Sequence, residues 1–248
     1  MSELLRNIPN QVFSHEIVQY GLKTERRELP GALLQLHWPL AESALTTTLT
    51  QMHPSRHVIV PEQIHSSTIA SVDRTTAPLR EGVDGLVTTD HTVMIAAYGA
   101  DCPIVSASDG QVRGIVHSGW RGTLDSAPER LIESMVQAGA TRTDLQVHVS
   151  PGIRDCCYTV DILDDPYDRT NRFKEQFGPQ VVSHRNELTF LNLQGAIRLS
   201  LLSAGIEINQ LVVDPRCTTC HDEQFPSYRR QGQTAPRLVT TLQAGSNV

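Results

Sequence analysis

Eight short apolar runs, four to seven residues each, succeed one another between positions 57 and 242. They cover 57–61, 86–89, 93–98, 104–107, 112–117, 145–149, 208–214 and 237–242. Runs of this length, rich in Val, Ile and Leu and bounded by polar turns, read as strands. Helical spacing is rarer. It predicts a helix over 124–139, where Leu131, Met135 and Val136 share a face and Gly139 is a stop signal. A second is expected over 193–204, with Asn192 as N-cap and Gly205 just past the end. A weaker pattern covers 166–177. Strands in excess, without regular strand–helix alternation, predict an α+β fold and disfavour a doubly wound sheet. No repeat, low-complexity tract or linker divides the chain, so one domain over 1–248 is expected.

Composition narrows the function. The net charge is −6 and no Lys/Arg run occurs, which argues against a nucleic-acid surface or binding to an anionic membrane face. A local basic pocket for one small anion remains compatible. Residues 1–10 lack a signal-peptide core, and no run approaches 18 apolar residues. A cytoplasmic protein is the expectation, as a monomer or small homo-oligomer. A chain of 248 residues can bury its core without covalent staples, so a metal here points toward chemistry. The five cysteines are odd in number and read as reduced thiols.

Three of the strand-like runs lead into a metal-binding side chain. His65 follows 57–61 in QIHSST. Cys102 interrupts an apolar stretch in YGADCPIV. His117 closes VRGIVH and opens SGWRGT before a helix. Singly, each is as well read as a surface histidine, a buried cysteine beside a bulge or a packing turn. Jointly they offer two imidazoles and one thiolate, a donor set that suits Zn²⁺ and leaves a fourth position open. Their separations match no finger or ribbon, so the site must be assembled in three dimensions. Asp101 beside the cysteine is a buried carboxylate in need of a partner, and Arg121 is placed to meet an anion. The pair Cys217 and Cys220 looks like half a zinc clip. Cys156 and Cys157 are adjacent and do not copy its spacing, so a structural zinc there is not expected, with or without His221. SYRRQGQT presents Tyr228, Arg229 and Arg230 before a glycine turn. Adjacent arginines suggest one exposed and one paired with a carboxylate, or a phosphate-binding role.

The motifs QIHSST, DGLVTT, GADCPIV, HSGWRGT, SPGIRDCCYTV, CTTC and SYRRQGQT, in this order over about 55–245, resemble the YfiH-like family. Its members are named purine nucleoside phosphorylase, laccase-domain polyphenol oxidase or peptidoglycan-editing factor. The resemblance implies mixed β-sheets flanked by helices and zinc on His65, Cys102 and His117. It further implies phosphorolysis of adenosine, inosine, guanosine or methylthioadenosine, with deamination of adenosine as a second reaction. On that reading Asp101 is the candidate proton shuttle, and Arg121 with Tyr228, Arg229 and Arg230 the candidate substrate and phosphate site. The chain departs from the family pattern at Gly85, at Pro103-Ile104, at Arg154-Asp155 and in RRQGQTAPR; the three ligands are untouched. Three rivals stand beside it: a copper-dependent phenol oxidase, disfavoured because ten scattered histidines form no HxH pair; a cysteine hydrolase using Cys102 and His117; and a role in cell-wall editing or partner binding.

Overall fold

A computed structural model describes residues 14–19, 22–161, 163–220 and 224–245; the expectation for residues 1–10 and the residue His221 lie outside them. The strands collect into three sheets. The largest runs, edge to edge, Ser14–Gln19, Leu22–Leu29, Ala32–Leu40, Arg237–Ala244, Val93–Gly99, His57–Pro61 and Leu79–Arg80. The second runs Leu211–Val213, Gln146–Val149, Ile104–Ser108, Arg113–His117, Gly85–Thr88 and Ile69–Ser71. A small third sheet holds Thr159–Val160, Leu188–Leu191 and Val182–Arg185. Both large sheets are mixed. His57–Pro61 is parallel to Val93–Gly99 and Gln146–Val149 to Leu211–Val213, while the central pairs are antiparallel.

Residue alternation along the strands explains the layering. In Val93–Gly99, Ile95 and Ala97 point toward Leu86, Ile104 and Ile115 of the second sheet. Met94, Ala96 and Tyr98 face the other way, onto Leu45 and Leu49 of the helix Leu45–Met52. In the second sheet Val105, Ala107 and Val116 take the outer face, packing on Leu131, Ile132, Met135, Ile197 and Leu201 from two long helices. Each central strand is thus buried on both faces, which is why it reads as a continuous apolar run. The result is helix, sheet, sheet, helix: an α+β architecture that is not doubly wound. One glycine sets the spacing. A side chain at Gly114 would lie 2.6 Å from Met135 Sδ and 2.9 Å from Leu131 Cδ1, so its absence lets the helix Ala127–Gln137 seat directly on the strand.

The predicted helix over 124–139 is two helices, Trp120–Leu124 and Ala127–Gln137. Ser126 between them has φ +63°, and Pro128 opens the second. The helix Leu193–Ser203 starts where expected, with Asn192 Oδ1 accepting from Gly195 N at 2.8 Å, and Gly205 follows it at φ +85°. The weaker pattern becomes Arg169–Phe177. Residues 208–210 form a 3₁₀ turn, and the strand there shrinks to Leu211–Val213. No helix among the described residues is long and apolar enough to cross a membrane.

Candidate metal centre

The site forms where the first two sheets exchange the chain. Val93–Gly99 ends in the large sheet and Ile104–Ser108 begins in the second, so residues 100–103 bridge them. The turn is tight: a side chain on Gly99 would lie 2.4 Å from the Cys102 carbonyl oxygen, and Asp101 has φ +85°. His117 ends the neighbouring strand, whose His117–Ile104 pairing puts it beside this crossover. His65 arrives on a loop stitched to the same region. The Gln63 amide exchanges two hydrogen bonds with the Tyr98 backbone, donating to its oxygen at 2.8 Å and accepting from its nitrogen at 2.9 Å.

One carboxylate organises the centre. Asp84, fully buried, accepts from the backbone N–H groups of Ile64 (3.1 Å), His65 (3.0 Å) and Ser66 (2.6 Å) and from Ser66 Oγ (2.8 Å). It also meets His117 Nδ1 at 2.9 Å. Burial pushes its pKa up, but these bonds, that to His117 foremost, outweigh it and hold the pKa below the usual carboxylate range. Bonding at Nδ1 orients the His117 ring and leaves Nε2 for the centre, the arrangement commonly found behind metal-binding histidines.

The ligand atoms of His65, Cys102 and His117 lie within 4.8 Å of one another. The two imidazole rings stand edge to face, 5.0 Å apart at 89°. Burial pushes the Cys102 thiol up, but hydrogen bonds from His117 and His65 more than reverse this and bring it down to about 6. His117 is lowered by burial and raised more strongly by Asp84 and Cys102, reaching about 9. The sulfur is therefore poised as the thiolate that a metal requires. The space fits too. A side chain on Gly119 would sit 2.9 Å from Cys102 Sγ, 3.6 Å from His117 Cε1 and 3.7 Å from His65 Cδ2. The hollow among the three donors is therefore kept open by a glycine. Two nitrogens and a sulfur at this spacing suit a tetrahedral ion with bonds of about 2.0–2.3 Å.

Above the three donors opens a cavity of about 530 Å³. Its wall carries Arg121, Arg169, Arg229 and Arg237, the rings of Tyr98, Trp120, Tyr158 and Tyr228, and the acids Glu42 and Asp101. Arg121 stacks on Trp120 at 4.5 Å and Tyr167 at 5.0 Å, contacts that fix its plane and leave its N–H donors for a ligand. Arg237 pairs with Glu42 at 2.6 Å, and Arg169 with Asp165 at 3.1 Å. Arg229 donates to Thr159 Oγ1 at 2.9 Å and lies over the Tyr158 ring.

Seven of the eight residues singled out in the sequence surround this cavity. Arg230 does not line it; its guanidinium donates to the carbonyls of Thr218, Thr219 and Phe225. Asp101 is buried, and its carboxylate accepts from Thr218 Oγ1 (2.6 Å), Thr219 Oγ1 (3.3 Å), Ser227 Oγ (3.0 Å) and Arg229 N (2.7 Å). It ties two wall loops together. Sequence reasoning assigned no role to Asp84, although it heads the DGLVTT motif; an acid opening a buried strand was the available signal. It also overlooked Gln63, Arg169 and, of the aromatic wall, Tyr98, Trp120 and Tyr158. The expectation that Cys217 and Cys220 lack a second half is corrected: Cys156, Cys157, Cys217 and Cys220 gather, their sulfurs within 4.8 Å. Adjacent cysteines need no clip spacing when a turn aims both inward.

Residues 41–244 match the family described as multi-copper polyphenol oxidoreductase laccase. The chain belongs to this family. Among curated relatives, purine nucleoside phosphorylase YlmD of Geobacillus stearothermophilus is 33% identical over 212 residues, covering 76% of this chain and 73% of that protein. Adenosine deaminase RL5, from an unknown prokaryotic organism, is 31% identical over 199 residues, 75% of this chain and 74% of that protein. The laccase-like fold is seen in solved structures. The crystal structure of YlmD from Geobacillus stearothermophilus superposes with a TM-score of 0.74 at 22% identity, covering 94% of this chain and 98% of the other. That of Bacillus licheniformis YfiH gives 0.74 at 22%, covering 90% and 92%. The YfiH-like resemblance drawn from the motifs and the α+β expectation both hold.

Proposed function

We propose that this laccase-like chain is a zinc-dependent purine nucleoside phosphorylase acting on adenosine, inosine, guanosine or methylthioadenosine, with adenosine deamination as a second reaction. One observation carries the reading. Two imidazoles and a thiolate converge on the floor of a cavity whose wall alternates arginines with aromatic rings. A volume of about 530 Å³ suits a nucleoside-sized ligand. The names of the relatives supply the reaction class.

Zinc is preferred to copper because of the donors. Among the described residues, the groups of three or more potential ligands are this one and the four cysteines. An oxidase with several copper centres needs further histidine clusters. His65, Cys102 and His117 would hold a zinc ion with one position open for water or substrate, where it would supply Lewis acidity. The rest is done by side chains. Arg121 and Arg229 hold the phosphate so that one of its oxygens bonds to C1′ as the bond from C1′ to the purine nitrogen breaks; the purine leaves with that electron pair and takes the proton that the hydrogen phosphate gives up. Tyr228, exposed at the cavity wall, offers a flat surface to the base. Asp101, bonded to four donors, keeps the loops of Thr218-Thr219 and Ser227–Arg229 in place, a positioning role in preference to proton transfer. The contribution is chiefly orientation and charge neutralisation. We place the enzyme in the cytoplasm, with nucleoside and phosphate as its partners.

Metal-replete protein incubated with the four nucleosides, with and without phosphate, and followed by chromatography and mass spectrometry, is expected to give free base and the sugar 1-phosphate (ribose 1-phosphate, or 5-methylthioribose 1-phosphate from methylthioadenosine) only when phosphate is present. Silence on every purine nucleoside sinks the proposal. A second reading, a cysteine hydrolase, is favoured by one feature: Cys102 and His117 lie with their ligand atoms within 4.8 Å, and hydrogen bonding to His117 and His65 together outweighs burial and lowers the thiol pKa. Stripping the metal separates the two, since it abolishes phosphorolysis and spares a cysteine hydrolase.

A further inference from the structure

The second cluster of sulfurs lies on the outer side of the cavity wall. Cys156 and Cys157 sit on the turn that precedes the strand Thr159–Val160; Cys217 and Cys220 sit on the turn after Leu211–Val213. The two turns are tied along the backbone. Gly152 and Cys217 form a parallel bridge, Thr218 N donates to Gly152 O at 3.1 Å, and the Arg154 guanidinium donates to the Pro215 carbonyl. Cys220 Sγ is 3.2 Å from Cys156 Sγ and 2.9 Å from Cys157 Sγ, with all four sulfurs within 4.8 Å. A disulfide needs about 2.05 Å, and none is formed. Four sulfurs around a zinc ion at bonds of about 2.3 Å would stand about 3.8 Å apart, inside the range found here.

The backbone around Cys217 is arranged for a thiolate. Burial disfavours its charge, yet N–H groups of Cys220, Arg154 and Thr219 directed at the sulfur bring its pKa below the ordinary thiol range. N–H donors from the second and third residues after the first cysteine of a C-x-x-C turn stabilise a charged sulfur, as hydrogen bonding to the charged form does generally. By contrast Cys156 and Cys157 are pushed up, Cys157 to about 12, by burial and by the neighbouring sulfurs. The geometry points the same way: two turns distant in sequence bring four sulfurs to within 4.8 Å of one another, a donor set that suits a soft divalent ion.

We propose that Cys156, Cys157, Cys217 and Cys220 form a second metal site, a four-thiolate centre for zinc that staples the two wall loops together. Binding displaces the thiol protons still present and leaves Zn(S–Cys)₄ with a net charge of −2; no electrons move. The site is structural because four protein ligands close the coordination sphere. Its location links it to the cavity. Thr218 and Thr219, between Cys217 and Cys220, hold the Asp101 carboxylate, and Tyr158, next to Cys157, lines the pocket.

The test uses the full chain carrying Cys102→Ser, so that the first centre contributes no sulfur. Loaded with Co²⁺ under reducing conditions, it should show the intense sulfur-to-cobalt charge-transfer and tetrahedral ligand-field bands of a four-thiolate site. Adding Cys217→Ser and Cys220→Ser should remove both. Because that variant risks misfolding, a second measurement stands without it. Iodoacetamide labelling of the reduced, zinc-loaded protein should be slowed about tenfold at Cys156 and Cys220 relative to the chelator-treated protein, since the metal occupies the nucleophilic lone pairs. Absent charge-transfer bands, or labelling unaffected by zinc, overturns the proposal. So does mass spectrometry of protein isolated without reductant that finds these cysteines paired as disulfides and no zinc bound. None of these outcomes depends on nucleoside turnover.

Discussion

Asp84 meets both histidines of the centre, His117 through its ring and His65 through its backbone. An asparagine cannot accept from all five donors that surround this carboxylate, and it meets the His117 nitrogen with the wrong polarity on one side. Asp84→Asn is expected to weaken metal binding by about 10–100-fold, as read by competition with a chromophoric chelator. Gly119→Ala should act differently: its added carbon would lie 2.9 Å from Cys102 Sγ and so displace the sulfur from the centre. Metal affinity should fall while far-UV circular dichroism stays unchanged; an unaltered zinc content would contradict the assigned geometry. His117→Ala should lose both metal and phosphorolysis. The three ligands were legible in the sequence because imidazole and thiol at strand ends are few and chemically specific. Asp84 was not, since its role arises only when a loop and a strand end folded from distant positions close around it. The four-cysteine cluster was misread for a related reason: spacing describes one segment, and this cluster needs two.

Five of the six strands of the second sheet were readable because burial on both faces writes an apolar run; Ile69–Ser71, where only Ala70 is fully buried, was not. Leu22–Leu29 was missed for the opposite reason. Five of its eight residues are charged, with Lys23, Glu25 and Arg27 half-buried and Arg26 and Glu28 exposed, and LKTERREL reads as polar chain. The small third sheet escaped because strands of two and four residues carry too little periodicity. The single predicted helix over 124–139 concealed a break, as apolar spacing is indifferent to a left-handed serine between two helices. Caps were more reliable. Removing the Asn192 oxygen that accepts from Gly195 N in Asn192→Ala should cost about 1 kcal/mol, measured as a shift in the urea midpoint with unchanged slope; no shift would mean that water satisfies the amide equally well.

Two histidines buried away from the centre reduce the acid tolerance of the molecule. His37 bonds Thr24 at 2.9 Å and Thr241 at 3.3 Å through its two ring nitrogens, as a neutral imidazole does. Burial lowers His37 to about 3, and burial likewise lowers His148 to about 3. Below pH ~6.5 the unfolded chain binds these two protons and the folded chain does not, so stability falls as the pH drops. The expected slope from this pair is about 2.7 kcal/mol per pH unit between roughly 6 and 3, with half of it removed in His37→Gln; urea titrations at stepped pH measure it. A flat profile in this window would mean that the rings are charged when folded. The order of strands in the large sheet bears on how the molecule is made. Arg237–Ala244 lies between Ala32–Leu40 and Val93–Gly99, bonded to both. A nascent polypeptide that has left the ribosome as far as residue 100 therefore carries two bare β-edges for the time needed to synthesise over a hundred more residues. Until the late strand slots in, those edges are templates for wrong pairing, and holding them apart falls to chaperones or to slow collapse.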